Sequence, residues 1–139
     1  MSEVPRTFLD TNLLIRFLTN DDPAKADRVE RLLQRAADGA VRLVTADIVL
    51  AELVWVLESF YRLDRRDIRE KVEAILATPG LDVINAHLVL QAIAIYAESN
   101  IDYIDAYVVT LMAKLKISGI YSFDKKHFSR FSKIQRLEP

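Results

Sequence analysis

Hydrophobic and polar positions along the chain fall into short apolar blocks alternating with longer amphipathic ones. Arg6–Leu9 ends in the apolar pair Phe8-Leu9 and runs into Asp10-Thr11-Asn12, which predicts a strand, a turn and a helix cap at Asn12. Leu13–Leu18 reads as a short helix. Asn20-Asp21-Asp22-Pro23 is a capping sequence with proline at a first helical position, and a helix follows from about Ala24 to Ala37. Val41–Thr45 reads as a strand and Ala46–Tyr61 as a long, strongly apolar helix. Asp64 caps a helix over Arg65–Ala77 that stops at Thr78-Pro79-Gly80. There follow a strand at Leu81–Ile84, a helix at His87–Glu98, a helix at Tyr103–Lys116, a strand at Gly119–Ser122, a turn at Asp124–Phe128 and an edge strand at Lys133–Leu137. Strands that alternate with helices argue an α/β fold with a mostly parallel sheet and helices on both faces.

At 139 residues, with no linker or repeat, one domain over residues 1–139 is expected. Hydrophobic residues make up 51% and charged residues 28%, a balance incompatible with intrinsic disorder. Cysteine is absent, which excludes a disulfide scaffold, a thiolate zinc site and a cysteine nucleophile. The net charge of −1 gives no global basic field. Its distribution is uneven: residues 114–139 hold seven lysines and arginines against Asp124 and Glu138, or +5, leaving −6 for the rest. The acidic N-terminus is unlike a signal peptide. The longest apolar run, Ile48–Leu57, is broken by Glu52 and too short to span a membrane. A cytoplasmic protein with no membrane association is expected.

Four acids stand where a solvated surface does not account for them easily. Asp10 follows the first strand, at the sheet edge where α/β folds bind ligands; a capping aspartate is the plain alternative. Glu52 has Ile48, Val49, Trp55 and Val56 at the neighbouring helical positions. Asp47 and Glu58 mark the polar side of that helix, and Glu52 lies about 140° from Asp47, so it is expected to face the buried stripe. A salt bridge to Arg16 is the competing reading. Asp105 begins a helix and leans towards Val108, Val109 and Met112, although an acid in a first turn also suits the helix dipole. Asp124 follows the strand at Gly119–Ser122, as a turn residue or on the same carboxyl edge as Asp10. Converging carboxylates repel unless a cation joins them. Oxygen ligands without cysteine favour Mg²⁺ or Mn²⁺, and such sites suit phosphoryl chemistry.

The segments Phe8-Leu9-Asp10-Thr11-Asn12, Ala51-Glu52-Leu53, Asp102-Tyr103-Ile104-Asp105-Ala106 and Ser122-Phe123-Asp124-Lys125 resemble, in order and spacing, the four acidic motifs of PIN-domain ribonucleases. The stretch Ile48–Glu58 and the Asn20-Asp21-Asp22-Pro23 turn resemble the VapC toxin branch in particular. The resemblance covers about residues 6–131. It implies a three-layer α/β/α PIN-like fold and RNA hydrolysis dependent on Mg²⁺ or Mn²⁺. It implies Asp10 and Asp105 as main metal ligands, with Glu52 and Asp124 completing the catalytic set. Asn12, Ser122 and Asp102 would support them from behind, and Lys125, Lys126 and Arg130 would receive RNA phosphates. Lys126-His127 stands where many relatives carry another acid. VapC-like toxins are usually paired with a small antitoxin and commonly form homodimers, and the apolar surplus around Trp55, Phe60 and Tyr61 would suit either interface, with core packing the plainer use of most of it. A housekeeping RNA-processing nuclease and a non-catalytic RNA- or protein-binding module are the alternatives. A receiver-type phosphoacceptor domain is disfavoured, because Asp10-Thr11-Asn12 lacks the paired acids that such a pocket needs. His87 is expected near a helix start, and His127 stands near the presumed site, where it could touch phosphate, with a surface histidine as the plainer reading.

Overall fold

Helix caps set the boundaries of the first elements in the computed structural model, which describes residues 4–139. The expectations for the first three residues of the chain lie outside the described residues. Strand β1 (Arg6–Phe8) gives way at Asp10, whose extended backbone and carboxylate cap helix α1 (Thr11–Leu18). The cap is therefore Asp10, which accepts from Thr11 N–H at 2.8 Å, and not Asn12. Asp22 caps α2 (Pro23–Ala37), accepting from Lys25 N–H, with Pro23 free to occupy a position that needs no N–H donor. Strand β2 (Arg42–Ala46) leads directly into α3 (Asp47–Ser59). Asp64 caps α4 (Arg65–Leu76), and β3 (Leu81–Ile84) follows. Then come α5 (Ala86–Ser99), α6 (Tyr103–Leu115), β4 (Gly119–Tyr121), a single 3₁₀ turn at Phe128–Arg130 and β5 (Gln135–Leu137).

All strand pairs among the described residues are parallel, as the alternation of strands and helices predicts. The strands divide into two groups. β1, β2 and β3 form a three-stranded sheet with β2 in the centre, in register at Phe8 with Val44 and at Thr45 with Val83. β4 pairs with β5 alone, with Ile120 opposite Arg136. Asp10 and Asp124 therefore follow strands of different sheets, which corrects the expectation of one shared carboxyl edge.

The core lies where α3, α4 and α5 meet β2 and β3. Leu50, Leu53, Leu57, Ile68, Ile75, Ile93 and Tyr96 are fully buried there, each aliphatic chain contributing about 1.5–3 kcal/mol relative to exposure. The turn before β3 depends on Gly80, whose φ of +79° is in the left-handed region and whose missing Cβ would stand 2.3 Å from the Ala36 carbonyl oxygen of α2. Arg65 of α4 ties the last turn of α5 to the link that precedes α6. It donates to the Tyr96 and Ile101 carbonyls at 2.7 and 2.6 Å and lies 4.3 Å over the Tyr96 ring. No helix among the described residues is long and apolar enough to cross a membrane.

Candidate metal centre

The rotation of α3 differs from the one its polar residues suggest. Glu52 is exposed, with Ile48 at 75% and Trp55 at 67% exposure on the same stripe. The buried side is formed by Val49, Leu50, Leu53, Val54 and Leu57. The expectation that Glu52 faces the core is thus overturned, and the physical reason is visible in Asp47 and Glu58. Both look like solvent markers in the sequence, yet both are used between helices: Tyr107 donates its hydroxyl to Asp47 and Tyr96 donates to Glu58. Arg16 does not neutralise Glu52 either, because it pairs with Asp21 at 3.1 Å.

Asp105 and Asp124 do come together. Asp105 lies in the first turn of α6 behind Asp102, the N-cap residue. Asp124 lies in the turn that leaves β4. One ligand atom from each of Asp105, Asp124 and His127 lies within 4.8 Å of the others, and all three residues are partly buried. Among the described residues no other such cluster of three exists, and Asp10 and Glu52 are outside it. Asp10 is exposed at the start of α1, beside Asn12, also exposed.

The Asp124 turn organises itself. Ser122 Oγ accepts from the Asp124 N–H at 3.0 Å, so it supports the backbone of Asp124 and not its carboxylate. Asp124 Oδ1 accepts from the Lys126 and His127 N–H groups at 3.0 Å each, and its Oδ2 is 2.8 Å from His127 Nδ1. These bonds, led by the His127 N–H, hold the Asp124 carboxyl down at about 2. An ionised Asp124 accepts only, so His127 donates to it through Nδ1. Asp105 is driven the other way: burial, then the charges of Asp102 and Asp124, raise its carboxyl above the usual range, and His127 offsets them in part.

Two carboxylates and an imidazole in one cluster form a donor set that accepts a divalent cation, with the nitrogen ligand more natural for Mn²⁺ than for Mg²⁺. Burial accounts for most of the rise at Asp105, and the neighbouring charges of Asp102 and Asp124 add to it, the part that a bound cation would offset. The sequence places His127 near the site as a possible phosphate contact, but not among the cation-holding residues that it joins here. Its signal is the spacing Asp124-Lys125-Lys126-His127, which returns the fourth side chain to the first when an aspartate caps the turn.

Of the predicted phosphate-binding cations, Lys125 and Lys126 are exposed beside the cluster. Arg130 is engaged elsewhere and donates to the Ser99 and Asn100 carbonyls at the end of α5, at 2.6 and 3.0 Å. A separate groove of about 390 Å³ runs between α1 and α2, with Leu13, Val29 and Leu32 in its lining and Arg16, Lys25 and Arg28 around them. Asn12 also lines it, so the groove begins one turn from Asp10.

Comparison with known proteins places these features in a family. Residues 7–134 match the PIN domain model. The chain is 29% identical over 118 residues to a VapC ribonuclease of Aquifex aeolicus, covering 85% of this chain and 87% of that protein. Among solved structures it is similar to VapC20 of Mycobacterium tuberculosis, a sarcin-ricin loop cleaving toxin, with 20% identity, coverage of 94% of this chain and 99% of the other, and a TM-score of 0.40. It is also similar to a chain of Rickettsia felis VapBC2 bound to a promoter DNA fragment, with 16% identity, coverage of 96% and 98%, and a TM-score of 0.38. The family match extends from β1 to the residue before β5. The chain belongs to the PIN domain family.

Proposed function

We propose that this protein is a divalent-metal-dependent endoribonuclease, a hydrolase of RNA phosphodiester bonds, and the toxin of a toxin–antitoxin pair. The observation that carries the reading is the meeting of Asp105 with Asp124 and His127, two motif acids far apart in sequence and joined by an imidazole. The similarity to a VapC ribonuclease over most of both chains supports the RNA substrate and the toxin role. The reading treats residues 1–139 as one domain.

Asp105, Asp124 and His127 would hold Mg²⁺ or Mn²⁺, and a bound ion of that kind supplies an activated water and stabilises charge on a phosphate. Asp124 comes to this role already ionised and oriented by its turn. Asp105 is the ligand whose charge most needs a cation. Asp10 and Glu52 join the catalytic set on their motif positions alone, both standing in water where RNA can reach them. Lys125 and Lys126 would meet the flanking phosphates and offset the repulsion between RNA and an acidic site. Asp102 contributes negative potential next to Asp105, and Asn12 and Ser122 support Asp10 and the Asp124 turn. An extended antitoxin segment would occupy the groove between α1 and α2. The exposed residues Ile48, Trp55 and Phe60 suit a homodimer contact.

The test is to incubate the purified protein with a structured RNA pool in Mg²⁺, in Mn²⁺ and in chelator, beside Asp105→Asn. Metal-dependent cleavage that the variant lacks is the expected outcome. A folded wild type that neither cuts the pool nor gains thermal stability from Mn²⁺ would remove the reading.

A further inference from the structure

Asp47 opens α3 directly after β2, so it stands at the carboxyl end of the central strand. Donors from three parts of the fold converge on its half-buried carboxylate. Oδ2 accepts from the Tyr107 hydroxyl of α6 at 2.5 Å and from the Asn85 amide at 3.0 Å, while Oδ1 accepts from Ile48 N–H at 3.0 Å. Asn85 joins β3 to α5 and holds a left-handed backbone with φ of 61°. The carboxylate therefore ties α6 to the ends of β2 and β3. The neighbouring Tyr103 hydroxyl is buried without a hydrogen-bond partner. Of these two α6 tyrosines, Tyr107 alone is anchored to a carboxylate.

Tyr107 lies two residues beyond Asp105. At about 100° per residue the two side chains leave α6 roughly 200° apart. One side reaches Asp47 and the other reaches Asp124 and His127. A roll of α6 by about 20° moves a group at the roughly 5 Å side-chain radius by about 2 Å. Metal–ligand distances tolerate only about 0.2 Å. The roll of this helix is therefore a quantity that the cluster needs held.

We propose that Asp47 and Tyr107 are positioning residues: their hydrogen bond fixes the roll of α6 and keeps Asp105 opposite Asp124 and His127. The catalytic consequence rests on the nuclease reading, whereas the geometric claim does not. The test compares Tyr107→Phe with Tyr61→Phe, which deletes a similar 2.6 Å hydroxyl–carboxylate bond, to Asp21, elsewhere in the fold. In metal-free protein, Tyr107→Phe is expected to shift the Asp105 carboxyl and His127 ring resonances, and Tyr61→Phe to leave them in place. Mn²⁺ affinity should fall by about 10-fold to 100-fold in Tyr107→Phe, with kcat on RNA reduced and KM unchanged. Asp47→Asn, whose amide oxygen still accepts the hydroxyl, should retain most of both. Unmoved resonances in folded Tyr107→Phe overturn the proposal whatever the protein does to RNA. If that variant does not fold, Asp47→Asn against Asp47→Ala carries the same comparison, and equal resonances in those two overturn it. A wild type that neither binds Mn²⁺ nor cuts RNA overturns the nuclease reading, and the resonance comparison still decides on the positioning pair.

Discussion

Asp105 and Asp124 share one cluster and are driven in opposite directions. Burial and neighbouring acids raise the Asp105 carboxyl, while hydrogen bonds hold Asp124 down at about 2. A carboxyl with a raised folded pKa is most comfortable protonated, so its ionisation weakens the fold as pH rises above the ordinary value of 3.8. A depressed one stabilises the fold above 3.8 and loses that contribution as pH falls towards about 2. In chelator at pH 7, Asp105→Asn should raise the melting temperature and Asp124→Asn should lower it. Both differences should shrink as the pH is taken below 3.8 towards 2, measured by thermal denaturation across that range. Shifts of the same sign at pH 7 would contradict the electrostatics of the cluster.

Metal should reverse the penalty at Asp105. A ligand that binds only the folded state stabilises it by about 2.7 kcal/mol at one hundred times Kd. Thermal stability of the wild type should climb with Mn²⁺ concentration, and Asp105→Asn should show no dependence beyond that of a surface-charge effect. A thermal-shift titration of the two proteins side by side decides this.

Glu52 stands in water on the outer stripe of α3. Glu52→Gln should therefore change stability by no more than about 0.5 kcal/mol in denaturant unfolding. On the nuclease reading the same variant loses RNA cleavage. Normal cleavage would reduce Glu52 to a surface acid.

Gly80 and Gly39 have nearly equal φ, +79° and +82°, and different surroundings. A Cβ at Gly80 meets the main chain of Ala36, which cannot swing aside, whereas one at Gly39 meets nothing within 4 Å. Gly80→Ala should cost about 3 kcal/mol or more, combining backbone strain and overlap. Gly39→Ala should cost only about 1–2 kcal/mol of left-handed strain. Urea midpoints of the two variants measure the difference.

Much of the fold was legible because local signals agreed with one another. Asp22-Pro23 and Asp64 cap their helices where capping rules put them, and Leu81–Ile84 is a strand over the predicted residues. Asp105 and Asp124 were legible as an ordered set of motif acids. Glu52 was misread for a reason particular to α3. That helix is apolar on most sides, so its few polar residues had to supply the phase, and two of them hydrogen-bond to tyrosines from α5 and α6. Periodicity does not reveal such partners, because Tyr96 and Tyr107 lie 38 and 60 residues away.

By itself, the sequence determined what depends on neighbours within a few residues: strand and helix order, caps, the glycine turns and the acids available for chemistry. Tertiary structure alone decided how far each helix is rolled and which strands share a sheet. Those choices placed Asp105 against Asp124 and His127, left Glu52 in water and set Asp10 at the end of a different sheet. The physical reason is range. Capping and turn energies are settled within one turn of chain, whereas the roll of α3 and α6 is set by buried side chains and by hydrogen bonds between residues remote in sequence.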